Sequence, residues 1–490
     1  MAQPNAVEIV EVCMVAPPPP AATPDHSSTS PNFLPLTFFD MQWIRLTRFQ
    51  RLYFYQTPKT TSFSNSILPR LKHSLSLTLL HFLPLAGNIA WPPTSPKPVV
   101  VFAQGDAVSV TVAKSKADFY RLSGCEGNEL WDATEYHHLL PKLAMSHEQA
   151  KVLTIQTTFF PESGGFSIGI VANHGVVDGK SLAMFTKSWA HICRSISSRG
   201  GGKYSDQSPL LPPELKPLYD RTLIKEPAKL QAIFSSNQWL NRSVLPLEQN
   251  DAPDSVRGTF RFSRAKIEEL RQLVLTVNQD ECAHDHRRRL PAVRQLSAFS
   301  LTCAYTWVCL VKAEGINDDN IVLVFPVECR FRLDPPIAMP YFGNCSGIKF
   351  VVAEREALLG TKGFVVAVNA ISEAIKSLEN NINGVLSESE NQVLSVILSK
   401  SRGSQSGDAA APERRVYSAI ESNRFDVYGT DFGWGRPKKV EMATGDGTGA
   451  MNFADSRDGD GGVEIGIVLK KQHMETFVSL FAQGLEEKTA

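Results

Sequence analysis

The run Phe166-Ser-Ile-Gly-Ile-Val-Ala172 is apolar or small throughout, leads into His174-Gly-Val-Val-Asp178-Gly179, and gives way to a helical pattern near Ser181. A short apolar run bounded by glycines reads as a buried strand. The region therefore predicts a strand, a turn and a helix, with His174 and Asp178 both in the turn. It places the chain among α/β proteins, whose ligand sites gather at the ends of strands. A histidine at a strand end suits general-base chemistry, because its ordinary pKa of about 6.5 lets it accept a proton near neutrality. H-x-x-x-D at this spacing also arises as plain hydrogen-bonded structure, so the pair alone leaves both readings open.

At 490 residues the chain exceeds one ordinary core, and two large domains are expected. Lys+Arg 50 and Asp+Glu 50 cancel, so no net field draws nucleic acid or an anionic membrane; an anionic ligand must meet a local basic patch. Eight cysteines, among them Cys13, Cys125, Cys303, Cys309, Cys329 and Cys345, are scattered through apolar runs without a CxxC pair. That usage predicts reduced core thiols and a cytoplasmic protein. Glu8 and Glu11 followed by the proline run 17–20 do not read as a signal peptide, and the end Lys488-Thr-Ala490 resembles no targeting tag. The longest apolar runs, 75–85 and 296–311, are too short to span a membrane.

Taken in order, residues 7–15 predict a first strand and 17–31 a Pro/Ser/Thr-rich loop. Ile67, Leu71, Leu75 and Leu79 recur at helical spacing across 66–82, before Pro84 and Gly87 end the pattern. Strands are expected at 99–102, 107–112 and 151–160, and a helix at 181–195. The Gly/Ser/Pro-rich stretch 197–217 breaks every period and reads as a crossover loop. The chain is therefore divided into an N-terminal domain 1–196, a crossover 197–225 and a C-terminal domain 226–490. The second half predicts a strand at 257–262, a helix opened by Ser263 as its cap, a polar loop at 280–289, a buried helix at 297–313 and a strand at 321–327. A helix follows at 363–378, a flexible insertion at 401–412, strands at 416–423 and 463–469, and a closing helix at 474–485.

Three separated segments belong together: His174-Gly-Val-Val-Asp178, Tyr341-Phe-Gly-Asn-Cys345 and Asp431-Phe-Gly-Trp-Gly435. H-x-x-x-D in mid-chain with D-F-G-W-G near the end resembles the plant BAHD family of acyl-CoA-dependent acyltransferases, and the segment 81–87, HFLPLAG, is similar to that family's leucine-rich helix. The YFGNC segment, preceded by CRFRLDPP at 329–336, resembles the branch that acylates anthocyanins and other flavonoid or phenolic glucosides, often with malonyl groups. The resemblance implies two chloramphenicol-acetyltransferase-like α/β domains with mixed β-sheets and flanking helices, and an active-site channel between them. It implies malonyl transfer from acyl-CoA to a sugar hydroxyl of a phenolic glucoside by a monomer. Acyl-CoA is a co-substrate, with no cofactor or metal. A hydroxycinnamoyl transferase, or an inactive relative that binds small phenolics, are the alternatives.

By the same resemblance His174 is the base, and Asp178 points away from substrate to pair with an arginine, for which Arg330 is the first match and Arg332 the second. Asp431 and Gly435 hold their loop. Trp434 is a candidate oxyanion donor through its indole N–H, or else a packed aromatic in a glycine turn. Lys180 either faces the carboxylate of a malonyl group or is an ordinary surface lysine. Ser263 and Ser297 mark segments similar to the family's CoA-binding regions, and Arg287-Arg-Arg289 reads as a mobile basic loop. Cys282-Ala-His-Asp-His286 lacks a second ligand group at zinc spacing. No G-x-S-x-G elbow supports a serine hydrolase, and capping accounts for Ser181.

Overall fold

The computed structural model describes residues 7–19, 30–45, 48–57, 61–124, 130–198, 210–235, 242–246, 254–284, 296–378, 415–443 and 449–486. The insertion 401–412, the triplet Arg287–Arg289, Cys125 and most of the stretch 17–31 lie outside them.

The strand Gly165–Asn173 is buried at all nine positions, as its continuous apolar run demands. It lies inside a six-stranded mixed sheet ordered Val7–Val15, Val108–Ser115, Leu153–Phe160, Gly165–Asn173, Arg48–Gln56, Lys439–Met442. A seven-stranded mixed sheet forms the other half, ordered Ser346–Glu354, Asn320–Glu328, Val416–Glu421, Ala450–Asp455, Val463–Lys470, Ser255–Phe262, Leu130–Asp132. Among the described residues, strand pairing crosses the division at 197–225 twice. Lys439–Met442 pairs with Arg48–Gln56 in the first sheet, and Leu130–Asp132 pairs with Ser255–Phe262 in the second. The two domains are thus interlocked rather than strictly successive.

Buried charges line this exchange. Arg51 pairs with Glu421, Arg257 with Glu441 at 3.0 Å, and Lys439 with Glu441 at 3.2 Å. Removing one member would strand a buried charge, which favours a single register between the halves.

The helix Ala298–Glu314 is opened by Ser297, whose Oγ accepts from Ser300 N at 3.1 Å, and closed by Gly315 at a left-handed φ of 60°. It is buried continuously from Ser300 to Val311 and packs against the helices Gly363–Ser377 and Lys471–Glu486. Its threonines cause no polar deficit, because Thr302 and Thr306 donate to the carbonyls of Ala298 and Thr302, each at 2.8 Å.

Several expectations need correction. The helix Arg264–His284 continues through Cys282 and His284, where a loop from 280 is expected. The leucine-periodic helix is α-helical over Leu68–Leu79, after a π turn at Phe63–Ile67, and Pro69 stands in its first turn, where a missing N–H costs nothing. The strands Arg48–Gln56, Ser346–Glu354, Lys439–Met442 and Ala450–Asp455 had no sequence prediction. No helix among the described residues is long and apolar enough to cross a membrane.

Candidate active site at the junction of the two halves

His174 directly follows the buried strand and is itself buried. Trp43 stacks on its imidazole, with centroids 4.3 Å apart and planes 5° apart, and Phe49 leans on it at 4.2 Å. The ring is oriented by this aromatic clamp. Its Nδ1 makes no hydrogen bond of good geometry. Burial pushes its pKa down to about 4, against the opposing pull of its own carbonyl, Asp178, Asn344 and the Val177 carbonyl. The resting imidazole is therefore neutral and able to accept a proton.

Asp178 caps the helix Gly179–Ser198: its Oδ1 accepts from Ser181 N at 2.8 Å. Its Oδ2 lies 2.8 Å from Arg330 Nη2 and accepts from Cys345 N at 3.3 Å. Arg330 is fully buried, is held bidentately by Glu328 at 3.0 Å, and donates to the carbonyls of Tyr341 and Gly343. Arg332 instead donates to the Glu328 carbonyl. Capping does not account for Ser181. Its Oγ accepts from Gly343 N at 3.0 Å and donates to Gly343 O at 3.1 Å, tying the helix to the YFGNC loop.

That loop reaches His174 through Asn344, whose Nδ2 donates to His174 O at 2.7 Å and to Asp40 Oδ1 at 3.0 Å. Asp40 also accepts from Thr37 N and Oγ1 in a capping box that starts the helix Phe38–Met41. A strap from the crossover braces the loop from outside: Arg221 donates to Tyr341 Oη and Phe342 O. Gly343, at φ +139°, has no room for a Cβ, which would stand 2.3 Å from the Arg221 guanidinium.

Glu421, at a left-handed φ of 68°, gives one carboxylate oxygen to Arg51, while Oε1 has no partner. It lies beside Gly179, where a Cβ would stand 3.4 Å from that oxygen and 2.7 Å from the Phe425 ring.

Lys180 is half-buried, and burial lowers its pKa, with Glu328 and Asp178 opposing and Arg330 and Lys187 assisting. Ser263 and Ser297 cap the helices Arg264–His284 and Ala298–Glu314, their Oγ atoms accepting from Lys266 N and Ser300 N at 3.1 Å each. The two helices are tied where Arg271 Nε donates to Leu296 O at 3.1 Å.

The structure does not bring Trp434 to His174. The Trp434 ring meets Phe166 edge-on at 5.7 Å, and residues 166 and 174 are separated by roughly 26 Å of extended strand. The Arg70 guanidinium lies over the Trp434 ring at 3.9 Å. Asp431 Oδ1 accepts from Gly433 N at 2.7 Å and Gly435 N at 2.9 Å, and both glycines have positive φ. Arg70 also donates to Phe432 O, and Tyr55 donates to Thr430 O at 2.8 Å. The DFGWG loop is thus a clasp holding C-terminal chain on the N-terminal sheet.

Asp40, Trp43, Phe49 and Glu421 are neighbours of the site outside the segments that the sequence marks, and Asn344 is marked only as part of YFGNC, with no role of its own. Of the four, Asp40 carries a local signal, as the third residue after Thr37 in a capping box.

Residues 20–483 match the Transferase family. The malonyl-CoA:anthocyanidin 5-O-glucoside-6''-O-malonyltransferase of Arabidopsis thaliana is 38% identical over 98% of this chain and 99% of its own length. Phenolic glucoside malonyltransferase 1 of Arabidopsis thaliana is 36% identical over 98% of each. Vinorine synthase, a solved structure 21% identical, shares the fold with a TM-score of 0.64 over 97% of this chain and 98% of its own. The α/β architecture expected from the resemblance, of the chloramphenicol-acetyltransferase-like kind, is therefore the one found. With the family match spanning nearly its whole length, and with relatives above a third identical from end to end, the chain belongs to the Transferase family, as a BAHD acyltransferase.

Proposed function

We propose that the protein transfers a malonyl group from malonyl-CoA to a sugar hydroxyl of a phenolic or flavonoid glucoside, with His174 as general base. One observation carries the mechanism: a neutral imidazole, clamped between Trp43 and Phe49, stands where residues of both halves converge. The names of the two plant relatives support the choice of donor and acceptor.

His174 takes the proton of the acceptor hydroxyl as that oxygen attacks the thioester carbonyl. The tetrahedral intermediate then collapses, the C–S bond breaks, and the imidazolium returns the proton to the departing thiolate. General-base assistance of this kind is worth about 10²–10⁴ in rate. Asp178 keeps the turn in shape through Arg330 and takes no proton. Lys180 meets the free carboxylate of the malonyl group. The N-termini capped by Ser263 and Ser297 face the phosphates of CoA, where backbone N–H groups and the helix dipole favour anions. The chemistry needs only a base and a good leaving group, so acyl-CoA serves as co-substrate without a resident cofactor.

Incubation with malonyl-CoA or coumaroyl-CoA and a panel of phenolic glucosides, read by product mass, tests this. A malonylated glucoside is expected. A coumaroylated product alone would make the enzyme a hydroxycinnamoyl transferase, and no product from any pair would make it a phenolic-binding relative. Lys180→Ala should lower malonyl transfer about tenfold more than coumaroyl transfer, the loss of one charge-assisted hydrogen bond. An equal loss with both donors would remove that role from Lys180.

A further inference from the structure

We propose that Trp43 is a catalytic residue, its indole N–H holding the thioester carbonyl oxygen of the donor as that oxygen becomes an oxyanion. The inference rests on the acyl-transfer reading above and supplies the donor that the placement of Trp434 leaves unassigned.

Trp43 Nε1 is buried and has no hydrogen-bond partner in the fold. A native protein seldom leaves such a group unmatched unless a ligand or water completes it. The adjacent Gln42 is in the same condition at both Nε2 and Oε1. The segment after the helix Phe38–Met41 thus presents unsatisfied polar atoms beside the base.

Indole is a donor only, so its partner has to be an acceptor atom, and a carbonyl oxygen gaining negative charge is the strongest one the reaction creates. The stack at 4.3 Å places the indole directly beside the imidazole, so an oxygen held by Nε1 at about 2.9 Å is next to the base. Base and donor are also set by one strut. Trp43 N donates to Asp40 O at 3.1 Å, and the Asp40 carboxylate holds Asn344, which holds the His174 carbonyl. A donor held in advance at the developing charge needs no reorganisation when the reaction occurs.

In the step itself the hydroxyl proton goes to His174 and the new C–O bond forms. The carbonyl π pair moves onto the oxygen facing Trp43, and the oxyanion expels the CoA thiolate, which takes the proton back from the imidazolium.

Trp43→Phe keeps an aromatic ring against His174 and removes the N–H. On an active wild-type enzyme it should lower kcat by about 10²-fold with KM for donor and acceptor nearly unchanged. Replacement of Trp43 by benzothienylalanine, which exchanges only N–H for sulfur, should reproduce the loss and guards against misfolding or a lost stack. The acid limb of the pH–rate profile should stay in place in both variants, since the base is still buried. Activity within about twofold of wild type in the benzothienyl variant overturns the proposal, as does a loss confined to KM. Wild-type protein that acylates nothing would instead bring down the proposed function itself.

Discussion

The turn His174–Asp178 and the loop Asp431–Gly435 are built from similar parts, an aspartate, glycine and ring side chains, and they flank opposite ends of the same strand. The loop is closed on itself and on its neighbours: Asp431 accepts from two glycine amides, Arg70 covers Trp434, and Tyr55 and Arg70 hold the carbonyls of Thr430 and Phe432. Around the turn, by contrast, atoms are left over. His174 Nδ1, Trp43 Nε1, Asn344 Oδ1 and the Gln42 amide are buried and unpaired, even though Asp178 and Arg330 are fully engaged. The loop pairs its own backbone groups and holds the fold together, with the neighbouring Thr430 Oγ1 unpaired beside it; the turn leaves several polar atoms unmatched around the base, where a ligand can complete them.

Substitutions at the two ends test that contrast. His174→Ala should cost the most, about 10³-fold in kcat with the fold retained, measured by steady-state turnover alongside circular dichroism. Turnover near wild type would take the base away from the turn.

Asp178→Ala should act mainly on stability. It removes a helix cap and leaves Arg330 buried with Glu328 as its only carboxylate, a loss of about 3 kcal/mol in denaturant unfolding. Full stability with lost turnover would move Asp178 into the chemistry.

The depressed pKa of His174 gives a third handle. Its value is about 4 in the folded protein, against about 6.5 when exposed. The unfolded chain therefore takes up this proton first as pH falls. Stability tied to the neutral ring is intact above about pH 6.5 and is lost toward pH 4. The acid limb of kcat/KM, which reports the free enzyme, should accordingly lie well below 6.5. A limb at the ordinary histidine value would show that the clamp opens before substrate binds.

The smallest effect is expected from Trp434→Phe: turnover within about twofold, and a stability loss of about 1 kcal/mol from the weakened contact with Arg70. A hundredfold fall in kcat from this change would erase the distinction between clasp and site.

Much of this organisation is written locally in the chain. The strand, turn and helix around His174, the buried helix after Ser297 and the capping role of Ser263 follow from apolar runs, periodicity and short-range caps. Such signals survive because they involve neighbours within a few residues. The family and the two motifs were legible for the same reason.

What the tertiary structure alone decided depends on partners far away in sequence. The strand Arg48–Gln56 is masked by its arginines, because Arg51 reads as a surface charge until Glu421, 370 residues on, neutralises it. Ser181 reads as a cap until Gly343 occupies its hydroxyl, 162 residues away, and Asp178 takes the capping role. Likewise a tryptophan in a motif and one outside it have the same chemistry on the page of sequence. Only packing placed Trp43 on the imidazole and Trp434 on Phe166 at the other end of the strand, because the surroundings that give a polar atom its task are assembled by the fold.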